Sequence, residues 1–523
     1  MNNKTEVGNI GLFSKRNTWR IIFGVLLILL VICTVRTRFE NDTFYIIKIG
    51  EQFLNNGFDF QDHWAWSADI EINYPHFLLN VALALLYRTF GLTGVYVFVL
   101  VMGYLLALSL YYVIEKIHDM AAGESDNRLY PLVGIFVSFL VLNIYPVFAV
   151  ARSHLLSFLI WLWEMWFILR FLKTGLKRYG VGIIVLIYLC SLVHATAWYF
   201  SFILFIPFFA SIYITRLVNH LSSKGISFGN VLSSNKLILS SDTECRNSKK
   251  LWIILLISYA TGLLTPSRIC YTSVFRINSG NPVKYIREFE PLTWNDAKYV
   301  FIGVILMVVL LAFFKTKCRL DLLFLFGGLF MMALTAYRHL ALLVFVGSFA
   351  FFYVVFDALS LVQFKKIKGT IIYTVVPLLA AVLLTVWGIS KNRFSYFTYL
   401  SPMWSSEGAL DYIEENYDKQ SLRLFNDYSF GAYMIFRDVP VFIDSRVNEY
   451  TRQFDPDLER DVFDDYIAIH RMENNWHEVI EYYDFDGYYI PTDGPLYQYM
   501  LTNPDVELVW EDPYTAIFMT IRE

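Results

Sequence analysis

Trp19-Arg20-Ile21-Ile22-Phe23-Gly24-Val25-Leu26-Leu27-Ile28-Leu29-Leu30-Val31-Ile32-Cys33-Thr34-Val35 leads through Arg36-Thr37-Arg38-Phe39 into Glu40-Asn41-Asp42. The apolar run approaches the ~20 residues that carry a helix across a bilayer. Lys4, Lys15, Arg16 and Arg20 precede it, and no small-residue cleavage site follows. It therefore reads as an uncleaved first span that starts in the cytoplasm. Two carboxylates stand directly outside its far end.

The rest of the chain agrees with a membrane reading. Of 523 residues, 56% are hydrophobic and only 17% charged, well below the share of a soluble domain. The formal net charge of −3 conceals a division. From Lys391 onward there are 10 Lys and Arg against 26 Asp and Glu, a net of −16, while residues 1–390 carry +13. This pattern excludes a soluble enzyme, a nucleic-acid binder and a disordered scaffold. The five cysteines (Cys33, Cys190, Cys245, Cys270 and Cys318) have no zinc or redox spacing, and none lies in the acidic part. An outer domain without cysteine is compatible with a bacterial surface.

Further apolar runs at 93–114, 131–149, 153–172, 180–195, 197–215, 251–265, 299–314, 321–337, 340–361 and 370–390 bring the expected number of spans to about eleven. Basic clusters at Lys173/Lys177/Arg178, 224–250, Lys315/Lys317/Arg319 and Lys365/Lys366/Lys368 set the orientation as cytoplasmic. The segment 74–90 is apolar over only about 15 residues and is laid on the outer surface, because a span there would turn every later basic loop outward. The outer face then holds a long first loop, 36–91, a loop at 266–298, and the acidic part, 391–523. The fold class expected is an α-helical polytopic membrane protein, with a transmembrane domain 1–390 and a small C-terminal α/β extracytoplasmic domain 391–523. In that domain a helix is expected at 407–417, short strands at 422–425, 440–443 and 488–490, and a hairpin from 506–510 and 515–521.

Charged groups in apolar spans are costly and carry a functional prior. Here they gather at the outer ends. Arg152 and His154 lie at one outer turn, His194 at the next, and Arg338 with His339 at a third. The later loop adds Glu288 and Glu290. Glu164, among Trp161, Trp163 and Trp166, reads instead as structural, paired within the bundle or protonated. Asp444-Ser445-Arg446 and Asn426-Asp427 fall at strand ends, where turn chemistry and capping explain them better than ligand binding.

This plan resembles the C-type glycosyltransferase superfamily, which includes protein mannosyltransferases, aminoarabinose transferases and the catalytic subunit of oligosaccharyltransferase. Glu40-Asn41-Asp42 matches its acid-x-acid motif in the first outer loop, and Tyr74-Pro75-His76 falls where that loop carries a surface helix. More closely, the chain is similar to a bacterial branch with an outer C-terminal domain. That likeness rests on Asn41-Asp42-Thr43-Phe44-Tyr45 with Gly50-Glu51, on Asp62-His63-Trp64-Ala65-Trp66-Ser67, and on the segment around His194. It continues through Leu264-Thr265-Pro266, Glu288-Phe289-Glu290-Pro291, Phe425-Asn426-Asp427, Phe430-Gly431-Ala432-Tyr433 and Pro440 to Arg446. The branch has Asn where this chain has Val193, and Gly where it has Ser445.

The resemblance implies transfer of a sugar from a polyprenyl-phosphate donor to an extracytoplasmic glycan or protein acceptor. It implies Asp42 as base, with Glu40 as its partner or a metal ligand. Arg152, Arg338 and His339 are the candidates for the donor phosphate, and His63, His76, His194, Glu288 and Glu290 for the sugar or acceptor pocket. Two converging carboxylates also suit a divalent cation, Mg or Mn; members of the superfamily differ here, and no metal set is assigned. The rival readings are a polysaccharide polymerase or ligase, a lipid-linked glycan transporter or flippase, and a noncatalytic scaffold. A transporter is expected to show internal repeats and polar groups at mid-membrane; this chain has its polar groups at one surface.

Overall fold

The computed structural model describes residues 15–123, 129–224, 236–267, 269–276, 282–362, 376–391, 398–473 and 475–522. Lys4 and the cluster Lys365/Lys366/Lys368 lie outside these residues, as does part of the run 370–390. The molecule is mostly helical. In chain order it begins with α1 (Lys15–Thr34), α2 (Asn41–Asn56), α3 (Phe77–Ala122), α4 (Tyr130–Phe148), α5 (Ser153–Thr174) and α6 (Lys177–Val193).

Among the described residues, six helical segments are long and apolar enough to cross a membrane, or seven if the bent pair Tyr337–Gly347 and Phe349–Leu361 is one span. They mark a membrane protein. That pair bends by 42°, at a π-helical turn, Leu343–Gly347. The run expected at 197–215 is also interrupted, between Tyr199–Ile203 and Ile206–Ser223, where Pro207 lacks the amide that would continue the ladder.

α3 breaks at Gly91, whose φ of 62° is left-handed backbone that a glycine adopts without a side-chain clash. The break falls where the short apolar segment 74–90 was expected to end. Part of the first outer loop is itself helical: α2 begins at Asn41, and its side chains Phe44, Ile46, Ile47 and Ile49 are buried. Gly50 sets how closely α2 lies on α3, because a Cβ there would collide with the Asn80 carbonyl. Glu164 is wholly buried on α5.

A two-stranded parallel sheet, β1 (Leu237–Ile238) with β2 (Cys318–Arg319), joins two loops. The C-terminal segment carries a four-stranded sheet from β3 (Leu424–Asn426), β4 (Gly487–Pro491), β5 (Val506–Glu511) and β6 (Thr515–Thr520), ordered β3-β4-β6-β5. β3 runs parallel to β4, and the other pairs are antiparallel. The expected strand at 440–443 does not join this sheet. Val441 instead bridges Ala65 of the first loop, donating to the Trp64 carbonyl at 2.8 Å and accepting from Trp66 N at 3.1 Å. Asn426 takes the place of a neighbouring strand: its Oδ1 accepts from Phe442 N at 2.8 Å, and its Nδ2 donates to the Ile443 carbonyl at 2.7 Å.

The helix Tyr428–Phe436 lies against α2, with the Phe44 ring 5.0 Å from Tyr433 and 5.3 Å from Phe436. One apolar core thus runs from the helical bundle into Leu424, Tyr489 and Ile517 of the sheet. A second gathers Ile70 of the first loop with Phe425, Phe442 and Tyr466.

Candidate active site

Glu40 is the N-cap residue of α2, in extended backbone, and its side chain makes no capping bond. Its carboxylate is therefore available to a partner outside the helix. Asp42 lies in the first turn, where the positive end of the helix dipole favours a carboxylate. Thr43 ties this start to the neighbouring turn, its hydroxyl donating to the Ala151 carbonyl at 3.3 Å. The next residue of that turn, Arg152, is the N-cap of α5.

Arg152 joins the two acids. Its Nη1 is 3.2 Å from Glu40 Oε2, and its Nη2 is paired with Asp42 Oδ2. Burial opposes the charge on this guanidinium, but Asp42, Glu40 and Glu288 outweigh it and raise the pKa above the ordinary arginine value. For the Glu40 carboxyl, burial is the larger influence and raises its pKa, aided by Asp42 and resisted by Arg152.

These groups line a cavity of about 790 Å³. His76, His154 and His194 share one wall: the His194 ring centroid is 4.9 Å from His154 and 5.4 Å from His76. Ser157 Oγ lies 2.8 Å from His194 Nδ1. The loops bearing His76 and His194 are joined by Ala195 N donating to the Pro75 carbonyl at 2.8 Å. Burial lowers the His76 imidazole to about 4, so it is neutral at pH 7.

Glu288 and Arg338 also line the cavity, with the Arg338 guanidinium carbon 4.3 Å from the centre of the Phe289 ring. Ile32, Cys33 and Tyr96 add an apolar flank. The structure thus brings Glu40, Asp42, His76, Arg152, His194, Glu288 and Arg338 to one cavity.

Three candidates lie away from its lining. His339 Nδ1 is 2.9 Å from the Met332 carbonyl, and its ring is 5.4 Å from Phe200. His63 is half exposed and pairs with Asp59 at 2.8 Å. Glu290 accepts at its carbonyl from Tyr337 N at 2.8 Å, holding the loop before Arg338. Among the described residues, no three His, Cys, Asp or Glu side chains converge as a metal set. Glu40 and Asp42 are both engaged by one guanidinium.

The C-terminal segment lines the cavity with Tyr428, Ser445, Arg446, Asn448 and Glu449. Asn41 Nδ2 donates to the Tyr428 carbonyl at 3.3 Å. The Arg446 guanidinium is held by Asp444 at 2.6 and 2.9 Å and by Asp62 of the first loop at 2.5 Å. Tyr450 OH donates to Asp444 at 2.6 Å. Asp444 also accepts from the Arg446 amide at 2.8 Å, a turn bond of the kind its sequence suggests. Asp427 caps the following helix through Ser429 N at 2.9 Å. Sequence reasoning left Glu449 unnamed, although it lines the cavity with its side chain buried and its pKa raised by burial to about 8.

No family model matches the chain, and no curated protein does. Solved structures do. The chain is similar to an oligosaccharyltransferase from Archaeoglobus fulgidus, solved with an inhibitory peptide and a dolichol-phosphate, at a TM-score of 0.58 and 12% identity over 92% of this chain and 70% of that one. It is similar to arabinofuranosyltransferase AftD from mycobacteria at 0.52 and 10% identity, covering 97% of this chain and 40% of that one. It is also similar to ArnT from Cupriavidus metallidurans in the apo state, at 0.50 and 12% identity, covering 97% and 99%. The chain has the C-type glycosyltransferase fold, as its first-loop motif led us to expect.

Proposed function

We propose that the protein is a membrane glycosyltransferase that moves a sugar from a polyprenyl-phosphate donor to an extracytoplasmic acceptor, a cell-envelope glycan. The observation that carries this reading is the Arg152 guanidinium bonded to both Glu40 and Asp42 inside the cavity. The Archaeoglobus structure, whose fold this chain shares, holds a dolichol-phosphate.

Donor phosphate entering the cavity competes with the two acids for Arg152, whose fork suits phosphate oxygens. As Arg152 turns to the phosphate, Asp42 is released to accept a proton. The acceptor hydroxyl then attacks the anomeric carbon from the face opposite the phosphate and passes its proton to Asp42. The bond between that carbon and the phosphate oxygen breaks with its electron pair on the phosphate, and the anomeric configuration inverts. Arg152 and Arg338 neutralise the charge that develops. Neutral His76 and His194 can accept or donate hydrogen bonds to sugar hydroxyls. The lipid tail leaves between apolar helices beside Ile32, Cys33 and Tyr96.

In the arrangement we propose, α6 and the helices Asp242–Ala260, Leu320–Thr335 and Val376–Lys391 complete a set of about eleven spans. The part 391–523 is then an extracytoplasmic α/β domain over a transmembrane domain 1–390. The test compares envelope glycans by mass spectrometry in wild type, a deletion strain and Asp42→Asn expressed at wild-type level. Loss of one sugar decoration from both mutants, with accumulation of its polyprenyl-linked donor, is expected. A deletion that alters glycans while Asp42→Asn does not would remove the base assignment and favour a transporter.

A further inference from the structure

Tyr45 stands three residues after Asp42 on α2, a spacing that makes two helical side chains neighbours, and both line the cavity. Its ring is buried, 6% exposed, and among the described residues its hydroxyl has no hydrogen-bond partner. Asn41 Oδ1 and Ser445 Oγ on the same lining are unpartnered too, but those atoms are sealed from solvent and the Tyr45 hydroxyl is not. Buried tyrosines elsewhere in the chain pair their hydroxyls: Tyr74 with the Asp59 carbonyl at 2.7 Å, Tyr145 with the Gly103 carbonyl at 2.8 Å, and Tyr466 with Asp427 at 2.7 Å. A phenol withdrawn from water generally does so. Burial, reinforced by Asp42, raises the pKa of the Tyr45 phenol, so it keeps its proton at neutral pH. The Arg446 guanidinium carbon lies 5.9 Å from the ring centre. Tyr45 thus adjoins the wall from the C-terminal segment, whereas Arg152 meets Asp42 from the start of α5.

We infer that Tyr45 binds the acceptor, its hydroxyl donating a hydrogen bond to an acceptor oxygen beside the hydroxyl whose proton Asp42 takes. The inference rests on the transferase reading and adds an acceptor-binding residue to it. Donor phosphate drawn to Arg152 occupies the α5 side of Asp42. The acceptor attacks from the face opposite the phosphate, and so comes in past Tyr45 and the C-terminal wall. A neutral phenol both donates and accepts a hydrogen bond, which suits neighbouring hydroxyls of a sugar. It carries no charge to hold a phosphate, so its loss should touch the acceptor and leave the donor lipid bound as before.

The test uses the full chain in lipid nanodiscs, donor lipid extracted from the deletion strain, and the undecorated envelope glycan of that strain as acceptor. Tyr45→Phe keeps the ring and removes only the hydroxyl. It is expected to raise KM for the glycan by about tenfold, with kcat, KM for the donor lipid and the melting temperature as in wild type. Tyr145→Phe, which removes a hydroxyl bonded inside the bundle, is the structural control: it should lower the melting temperature and leave KM for the glycan alone. An unchanged KM for the glycan in Tyr45→Phe overturns the inference. So does a raised KM for the donor lipid, which would put the phenol against the donor, or a lowered melting temperature, which would make its role structural. Absence of any transfer by the wild type instead overturns the transferase reading, and the inference falls with it.

Discussion

Arg152 Nη2 is paired with Asp42, the residue that the proposed reaction needs as a base, while Nη1 of the same side chain holds Glu40 at 3.2 Å. In the proposed reaction this contact couples two events, since donor phosphate competing for Arg152 would free the Asp42 carboxylate.

Asp42→Asn is expected to keep the protein folded and membrane-inserted and to lower transfer by roughly a hundred- to ten-thousandfold. Arg152→Lys keeps a charge but loses the fork that spans both acids, so transfer should fall sharply with KM for the donor raised. Steady-state transfer from a synthetic polyprenyl-phosphate sugar measures both. Normal turnover by Asp42→Asn would end its role as base.

His76 has a pH signature. Its folded value is about 4 against an ordinary 6.5, because burial disfavours the imidazolium. Between those values the unfolded chain binds more protons than the folded one, so stability rises with pH there. The contribution is fully present above pH 6.5 and is lost as pH falls toward 4, by roughly 3 kcal/mol over the whole window. His76→Gln should flatten this part of a melting-temperature profile in detergent, and an unchanged slope would contradict the assignment.

Gly50→Ala is expected to destabilise by about 1–3 kcal/mol, because the added methyl meets the Asn80 backbone carbonyl and wedges α2 from α3. Since α2 carries Asp42 at its first turn, transfer should fall along with the melting temperature. Alanine at Asn55, near the far end of α2, should affect transfer much less.

Asp62→Ala leaves Arg446 in a buried setting with one of its carboxylates gone. Breaking such a pair costs about 3–5 kcal/mol, and the first loop should become open to protease between α2 and α3. Native-like proteolysis of the variant would show that the ion pair does not hold the loop.

Much of the helical bundle was legible because long apolar runs have few alternatives, and the hairpin of β5 and β6 because its two apolar strands flank a tight turn. α2 was not. Its mixture of Lys48, Glu51 and Gln52 with apolar residues reads as loop until α3 and the helix Tyr428–Phe436 are known to lie on either side of it. The segment Pro440–Ile443 has strand composition, but Asn426 satisfies backbone groups that a neighbouring strand would have taken. Clustering of acids, histidines and arginines at helix ends was enough to pick out Glu40, Asp42, Arg152, His194, Glu288 and Arg338, which line the cavity. Arg446 and Asp62 stand 384 positions apart, and no local periodicity links them. Glu449 lies in a short turn whose composition looks like solvated surface. Its exclusion from water is a property of packing and not of spacing.

The position of α2 between the bundle and the C-terminal segment also governs how the protein is made. Lys48 meets Asp438, Asn41 meets Tyr428, and Arg446 meets Asp62, each across more than 380 residues. A ribosome inserting the helices in order completes the carboxylates of α2 early and the wall that faces them late, so α2 waits on the membrane with its Phe44 face uncovered. Closing contacts of such long range is slow, and the interval exposes an apolar helix to whatever else is present. The same delay means that a half-built chain lacks the wall supplied by Tyr428, Arg446 and Glu449, and so has no finished cavity.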